Sequence, residues 1–538
     1  MVMKRVVAVL AILLLVLTLL ISQSINPKFH TIAQAEKPVI RIAYDGDIDH
    51  IELMQFRSIS AYEATANLYE PLLTQVTFTN PRGEIVGLDE VEGSLAERYE
   101  ISEDGTTFTF YLRREAKFAD GTPITAHDFK YTFDRAITGP GYLGLLIPFM
   151  AIDSADQIQV LDDYTLQIST NEPAALTETI LTFQIFGAIS EATASEHATS
   201  DDPWAEQYFH QNANSSGPYQ ITHWEQGEEY VFEPNPNYWR GETFFQNAGV
   251  VFKVVPDAET REAMLQAGEV DIALGIPFSD LGDLLEDPNL AVHAIPSGRI
   301  YHLGMNNAIA PFDDARVRQA ISMAIPYNAM IENVLYGYGQ QPKSPVSIGM
   351  EGYTDEFWTY GDADLEEARA LLETAGYGNG FVVDLTVPEE DQTRLDAAEW
   401  IKVGLERLGI TVNINAVSTA EFSELLFSHE LPFFIEQWYS WGNDPFFQLT
   451  FNLKCGAVTN YVNYCNEEVD ALIEAGTFSR DAEERADLIR RAQEIIVEEA
   501  PWAYLYQPDR VFVTRANVTG IAIFNDLTLR YAYLGITE

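Results

Sequence analysis

Beginning at Glu436, the stretch EQWYSWGNDPFFQL crowds Trp438, Tyr439, Trp441, Phe446 and Phe447 around a Gly-Asn-Asp-Pro turn. Aromatic rings offer stacking faces and cation–π contacts. Asp444 in the turn offers a carboxylate able to meet an ammonium group. This is the chemistry of holding a solute rather than of breaking a bond. The competing reading is structural, with rings filling a core and Asp444 capping the turn. Trp438, Tyr439, Ser440, Trp441 and Asp444 are therefore the candidates for contact with a ligand, and Phe446 and Phe447 are expected in the core.

Reactive groups elsewhere do not assemble. The chain has no G-x-x-x-x-G-K-[ST] phosphate loop, and Gly337-Tyr338-Gly339 lacks the third glycine of a dinucleotide site. No G-x-S-x-G elbow is present. The nine histidines are scattered, with none at i, i+4, so neither a metal site nor a cofactor is expected. Adjacent acids such as Glu389-Glu390 and Glu498-Glu499 read as solvated faces. Cys455 and Cys465 either close a short disulfide loop or remain buried thiols. A binding protein is favoured over an enzyme. A secreted hydrolase would instead need two carboxylates facing each other ~5–9.5 Å apart.

The 538 residues suffice for roughly three domains, and a hydrophobic content of 47% allows large packed cores. Against 81 acidic residues stand only 32 basic ones, a net charge of −49. Such a field repels phosphate and excludes nucleic acid and anionic lipid as partners. It either attracts cationic solutes or reflects solubility and adaptation to salt. Lys4 and Arg5, the apolar run Val6 to Ile21 and Ala33-Gln34-Ala35 read as a secretory signal cleaved before Glu36. The alternative is an uncleaved tether. The mature chain is thus expected outside the cytoplasmic membrane.

The elements that must position the aromatic stretch are legible in outline. Val39 to Tyr44 reads as a buried strand, and Ala61 to Leu73 as a helix broken at Pro71. Ala96 to Ile101 and Thr107 to Leu112 form a hairpin around Asp104-Gly105. Thr125 with Asp128 predicts a helix beginning at Ala126. Further hairpins are expected at Ile158 to Ser169 and after Gly217-Pro218. Past Asn307 the texture changes to alternation: helices at Ala315 to Ala324, Leu365 to Ala375, Asp396 to Leu408 and Arg485 to Ala500, with strands at Phe381 to Val387 and Ile410 to Val417. That alternation predicts an α/β lobe with a mainly parallel sheet.

Four stretches together resemble one family, the extracytoplasmic solute-binding proteins of ABC importers in the peptide/nickel class, family 5. They are Leu95 to Arg135, Ser216 to Trp239, Pro311 to Gly339, and Asn463 to Ile473 with APWAYLY at Ala500 to Tyr506. The resemblance implies an α/β, two-lobed periplasmic-binding-protein fold with an extra inserted subdomain and a ligand cleft between the lobes. Lobe I would comprise 36–74, 209–306 and 504–538, the inserted subdomain 75–208, and lobe II 307–503, with 1–35 as the signal. It implies a monomer that does no chemistry, captures a peptide or similar small solute, and delivers it to ABC permease transmembrane subunits. An oligosaccharide binder of the same fold is the alternative. In peptide binders of this family the corresponding stretch reads W-x-x-D-x-x-D-P. Trp438 then falls on the pocket tryptophan, the following residues pair with the peptide as an added strand, and Trp441 stands where the amino-anchoring aspartate is expected. The facing wall would come from Arg57, Ser58, Ile59 and Ser60, with Arg57 meeting a ligand carboxylate, and from His302 and Asn306. Cys455 and Cys465 resemble a disulfide loop of dipeptide-binding members.

Overall fold

The computed structural model describes residues 37–55, 58–141, 143–361 and 365–537. The expected signal segment and Arg57 lie outside them.

Local signals produce the expected elements. Asp128 accepts the Thr125 backbone N–H at 2.8 Å, and the helix Ala126–Thr138 begins there. The helix Ile59–Leu68 is shorter than expected, because the residue ahead of Pro71 is driven out of helical geometry. Helices Gln392–Glu406 and Ala482–Glu499 begin earlier than expected, since Asp391 and Asp481 accept the first free amides. The hairpins expected at 96–112 and 158–169 form and join into one four-stranded antiparallel sheet, ordered 96–101, 107–112, 165–169, 158–162.

The large sheet runs through both lobes. Its order is 411–417, 382–388, 433–438, 300–305, 502–515, 272–274, 39–44, 249–254, 229–234, 219–225. The expected mainly parallel arrangement is corrected to a mixed one. Strands 382–388, 411–417 and 433–438 are parallel, because helices Gln392–Glu406 and Thr419–Phe427 carry the chain back between them. Strand 300–305 enters directly from the other lobe and runs antiparallel to both 433–438 and 502–515.

Two main cores result. One joins lobe I with the inserted subdomain, and the other is built from residues 301–506. Tyr301, Leu303 and Met305 pack in the second core. Within the single strand Trp502–Arg515, residues 502–506 belong to the second core and Phe512 belongs to the first. The two cores meet at helix Pro445–Asn452. Phe446 is buried in one and its neighbour Phe447 in the other.

Candidate functional site

The cleft between the lobes holds two adjoining cavities. One, of about 770 Å³, is lined by Trp438, Tyr439, Trp441, His302, Asn452 and Tyr461, among others. The second, of about 920 Å³, shares Ser423, Phe427, Glu436, Gln437 and Tyr461 with it, and extends to Asp45, Ile59, Ile276 and Phe278 of lobe I.

Strand Phe433–Trp438 forms the wall common to both. Along one edge it pairs fully with 300–305, from Met305–Phe433 to Ile300–Trp438. Along the other edge its pairing with 382–388 stops at Thr386–Phe434. Among the described residues, no strand continues that ladder past Phe434. A free edge presents main-chain N–H and C=O groups to whatever fills the cleft. Beside it are buried polar atoms without protein partners: the Trp438 indole nitrogen, the Gln437 side-chain oxygen and His302 Nδ1. Such atoms are costly unless water or a ligand completes them.

The aromatic residues split as the turn directs them. Trp438 stacks on Phe451, with centroids 5.7 Å apart, and Trp441 reaches across to Tyr62 of lobe I at 6.2 Å. Burial raises the Tyr439 hydroxyl above its ordinary range, so it remains protonated. Gly442 permits the approach of the lobes here. A Cβ on it would lie 2.8 Å from Thr179 Cγ2 and 3.0 Å from Phe183 Cζ of the inserted subdomain. Phe447 then packs 5.3 Å from Phe149 and 6.0 Å from Phe183.

Several expected contact residues are committed elsewhere. Asp444 Oδ1 accepts the amides of Phe446 at 2.9 Å and Phe447 at 3.2 Å, and its other oxygen pairs with Arg485. Its carboxylate therefore caps helix Pro445–Asn452. The Pro at the first helical position was the sequence signal for that role. Ser440 turns inward and donates to the Gly442 carbonyl. Asn306 is fully buried and saturated: it donates to the carbonyls of His429 and Leu431, both at 3.0 Å, and accepts from Ala308 N–H and Asn463 Nδ2, both at 3.1 Å. It joins the loops of lobe II instead of facing the cleft. Ser58 caps the helix Ile59–Leu68, accepting from Ala61 N–H and donating to Asp49. Ser60 is buried, whereas Ile59 reaches the cleft.

His302 lines the cavity of about 770 Å³ and stacks on Trp502 at 3.8 Å. Burial, and then the Arg394 guanidinium, push its imidazole down to about 3, so it is neutral at physiological pH. Glu436, opposite it in the strand pair, is raised by burial against the pull of Arg394, whose Nη1 lies 3.2 Å from its carboxylate. Glu436, Gln437, Ser423, Phe427 and Tyr461 had no local sequence signal, because only strand pairing and lobe packing bring them together. Among the described residues no cluster of three or more His, Cys, Asp or Glu side chains is arranged to hold a metal, and no helix is long and apolar enough to cross a membrane. Cys455 and Cys465 form a disulfide.

This architecture recurs among solved structures. A Helicobacter pylori periplasmic binding protein in complex with the peptide STSA matches with a TM-score of 0.79 and 23% identity, over 93% of this chain and 98% of that one. The Escherichia coli murein tripeptide binding protein matches with a TM-score of 0.79 and 22% identity, over 94% and 100%. In sequence, a probable D,D-dipeptide-binding periplasmic protein of Escherichia coli K12 is 29% identical, covering 82% of this chain and 84% of its own. Heme-binding protein A of Haemophilus influenzae is 28% identical, over 77% and 79%. The family model for bacterial extracellular solute-binding proteins, family 5, matches residues 90–460. The chain belongs to family 5 of the bacterial extracellular solute-binding proteins.

Proposed function

We propose that the protein captures short peptides outside the cytoplasmic membrane and delivers them to the transmembrane subunits of an ABC importer. The observation that carries this reading is the free edge of strand Phe433–Trp438 beyond Phe434, set between two cavities and flanked by Trp438, Tyr439 and Trp441. A peptide is an extended chain whose main chain can complete such an edge while its side chains fill pockets on alternate sides. Relatives whose names specify peptides, and solved structures with peptide bound, support it. An oligosaccharide could stack on the same rings but would leave the strand edge unmatched.

In this reading Trp438, Tyr439, Trp441, Ile59 and His302 face the ligand, and Arg57, outside the described residues, is proposed to meet a ligand carboxylate. Ser58, Ser60, Ser440, Asp444 and Asn306 frame the walls. Lobe I comprises 36–74, 209–299 and the chain from within strand Trp502–Arg515 onward, 75–208 is the inserted subdomain, and lobe II lies between the crossings. The ligand bridges both lobes only when they are closed, so binding favours closure. The protein acts as a monomer, leaves its ligand chemically unchanged, and is released by cleavage after Ala35.

The test is a thermal-shift screen of residues 36–538 against di- to pentapeptides, oligosaccharides and quaternary amines, repeated in Trp441→Ala. A ligand of the folded state raises the melting temperature by mass action. Peptides are expected to do so, with a smaller shift in Trp441→Ala. Shifts with oligosaccharides or quaternary amines alone would refute the peptide assignment.

A further inference from the structure

Arginines around the cleft are almost all answered by carboxylates. Arg394 lies 3.0 Å from Asp391 and 3.2 Å from Glu436, Arg510 lies 3.1 Å from Glu63, Arg530 lies 2.6 Å from Asp526, and Arg485 meets Asp444. Arg299 differs. Among the described residues it makes no ion pair, although acids outnumber bases 81 to 32 in this chain. It is half-buried, and its Nε is fully buried without a hydrogen-bond partner.

Its position places the charge just past the Trp438 end of strand Phe433–Trp438, on the side that pairs with 300–305. Ile300 stands opposite Trp438, so Arg299 stands opposite Tyr439, just past the end of the ladder. Its guanidinium lies 5.0 Å from the Tyr439 ring centroid, and Tyr439 lines the cavity of about 770 Å³. The charged groups that bear on Tyr439 and on Tyr44 of lobe I are Arg299, Arg510, Asp526, Glu63 and Asp45. Glu63 and Asp526 are taken by Arg510 and Arg530, and Asp45 is 3.7 Å from Arg261. The Arg299 charge is the surplus. A partly desolvated cation held over a ring gains only a modest cation–π term. It gains more from an anion entering the cleft.

We infer that Arg299 is a specificity residue that receives a carboxylate of the bound ligand beside Tyr439. The inference deepens the peptide reading, on which it rests for the source of that carboxylate, namely the peptide C-terminus. An acidic sugar would present the same chemistry from another source.

The experiment measures affinity by calorimetry for the unmodified protein, Arg299→Gln and Arg299→Lys. The probes are a pool of di- to pentapeptides with free carboxyl termini, the same pool amidated, oligosaccharides bearing uronic acids, and their neutral counterparts. The acid member of the binding class should bind roughly tenfold or more tightly than its neutral partner. That preference should vanish in Arg299→Gln and be partly kept in Arg299→Lys. Unliganded melting temperatures verify that each variant is folded. Peptides that bind equally well with and without the carboxylate, or whose preference survives in Arg299→Gln, overturn the inference and leave the peptide reading intact. An Arg299-dependent preference for uronic acids without peptide binding sustains the inference and overturns the peptide reading. Binding of neither class overturns both.

Discussion

His302 should make stability fall as the pH drops below neutral. In the folded protein its imidazole is buried on Trp502, with Arg394 near and Nδ1 unpartnered, and it titrates at about 3. In the unfolded chain it titrates at about 6.5. Between these values the unfolded state binds a proton that the folded state refuses, so protonation pulls the equilibrium toward unfolding. The contribution is fully present above the unfolded value and is lost progressively as the pH falls toward the folded one. Each unit is worth about 1.4 kcal/mol, so moving from pH 7.5 to pH 5 should remove about 2 kcal/mol through this group alone. Many carboxylates also titrate in this range, so the measurement is a difference. Urea unfolding at both pH values would be compared for the unmodified protein and His302→Phe, which keeps a ring against Trp502. The unmodified protein should lose about 2 kcal/mol more than the variant, with no change in the urea slope. Equal losses would refute the reasoning. They would mean that His302 takes up its proton inside the fold, with Glu436 across the strand pair as the group that holds it.

Other substitutions separate framing from contact. Asn306→Ala should destabilise by roughly 1–3 kcal/mol, because it leaves the buried Leu431 carbonyl unmet and removes its bonds to His429, Ala308 and Asn463, while calorimetry on the folded variant should show unchanged ligand affinity. Cys455→Ser opens a loop whose ends are 10 residues apart and should lower stability by about 3 kcal/mol in denaturant unfolding. Asp444→Asn keeps an oxygen for the helix amides but loses the Arg485 pair, so it should be less destabilising than Asp444→Ala, which adds about 1 kcal/mol for the lost cap. Equal melting temperatures for these two variants would show that the cap contributes nothing.

What could be read from the sequence follows the range of the interactions. Thr125 with Asp128, the Asp104-Gly105 turn and the disposition of strands and helices after Asn307 are set by neighbours in the chain, and they appear where expected. Helix starts were displaced where a single aspartate, Asp391 or Asp481, outweighed the apolar pattern. The mixed character of the sheet depends on which lobe a strand arrives from, which no local pattern records. The same limit explains the site. Trp438 and Trp441 announced themselves by type and crowding. Glu436 and Gln437 become cleft residues only because strand 382–388 stops pairing at Thr386. Asn306 looked like a crossing residue available to a solute, yet its amide is saturated by backbone from His429 and Leu431, more than a hundred residues away.

The turn from Ser440 to Asp444 therefore has two tasks that cannot be separated. Its Trp441 walls the cavity of about 770 Å³, while Gly442 lies against Thr179 and Phe183, and the Asn443 amide donates to Asp89 at 2.7 Å. Asp444 fixes the helix that sets Phe446 in one core and Phe447 in the other. Farther along, Arg480 binds Glu178 and the Ala174 carbonyl of the inserted subdomain. On the proposed reading, a solute resting on Trp441 presses on the same five residues that carry lobe II onto the inserted subdomain. Occupancy can bias closure only through contacts that differ between the open and closed states. This turn is where the ligand wall and the contacts between lobes are one piece of chain, so the coupling requires no relay through either core.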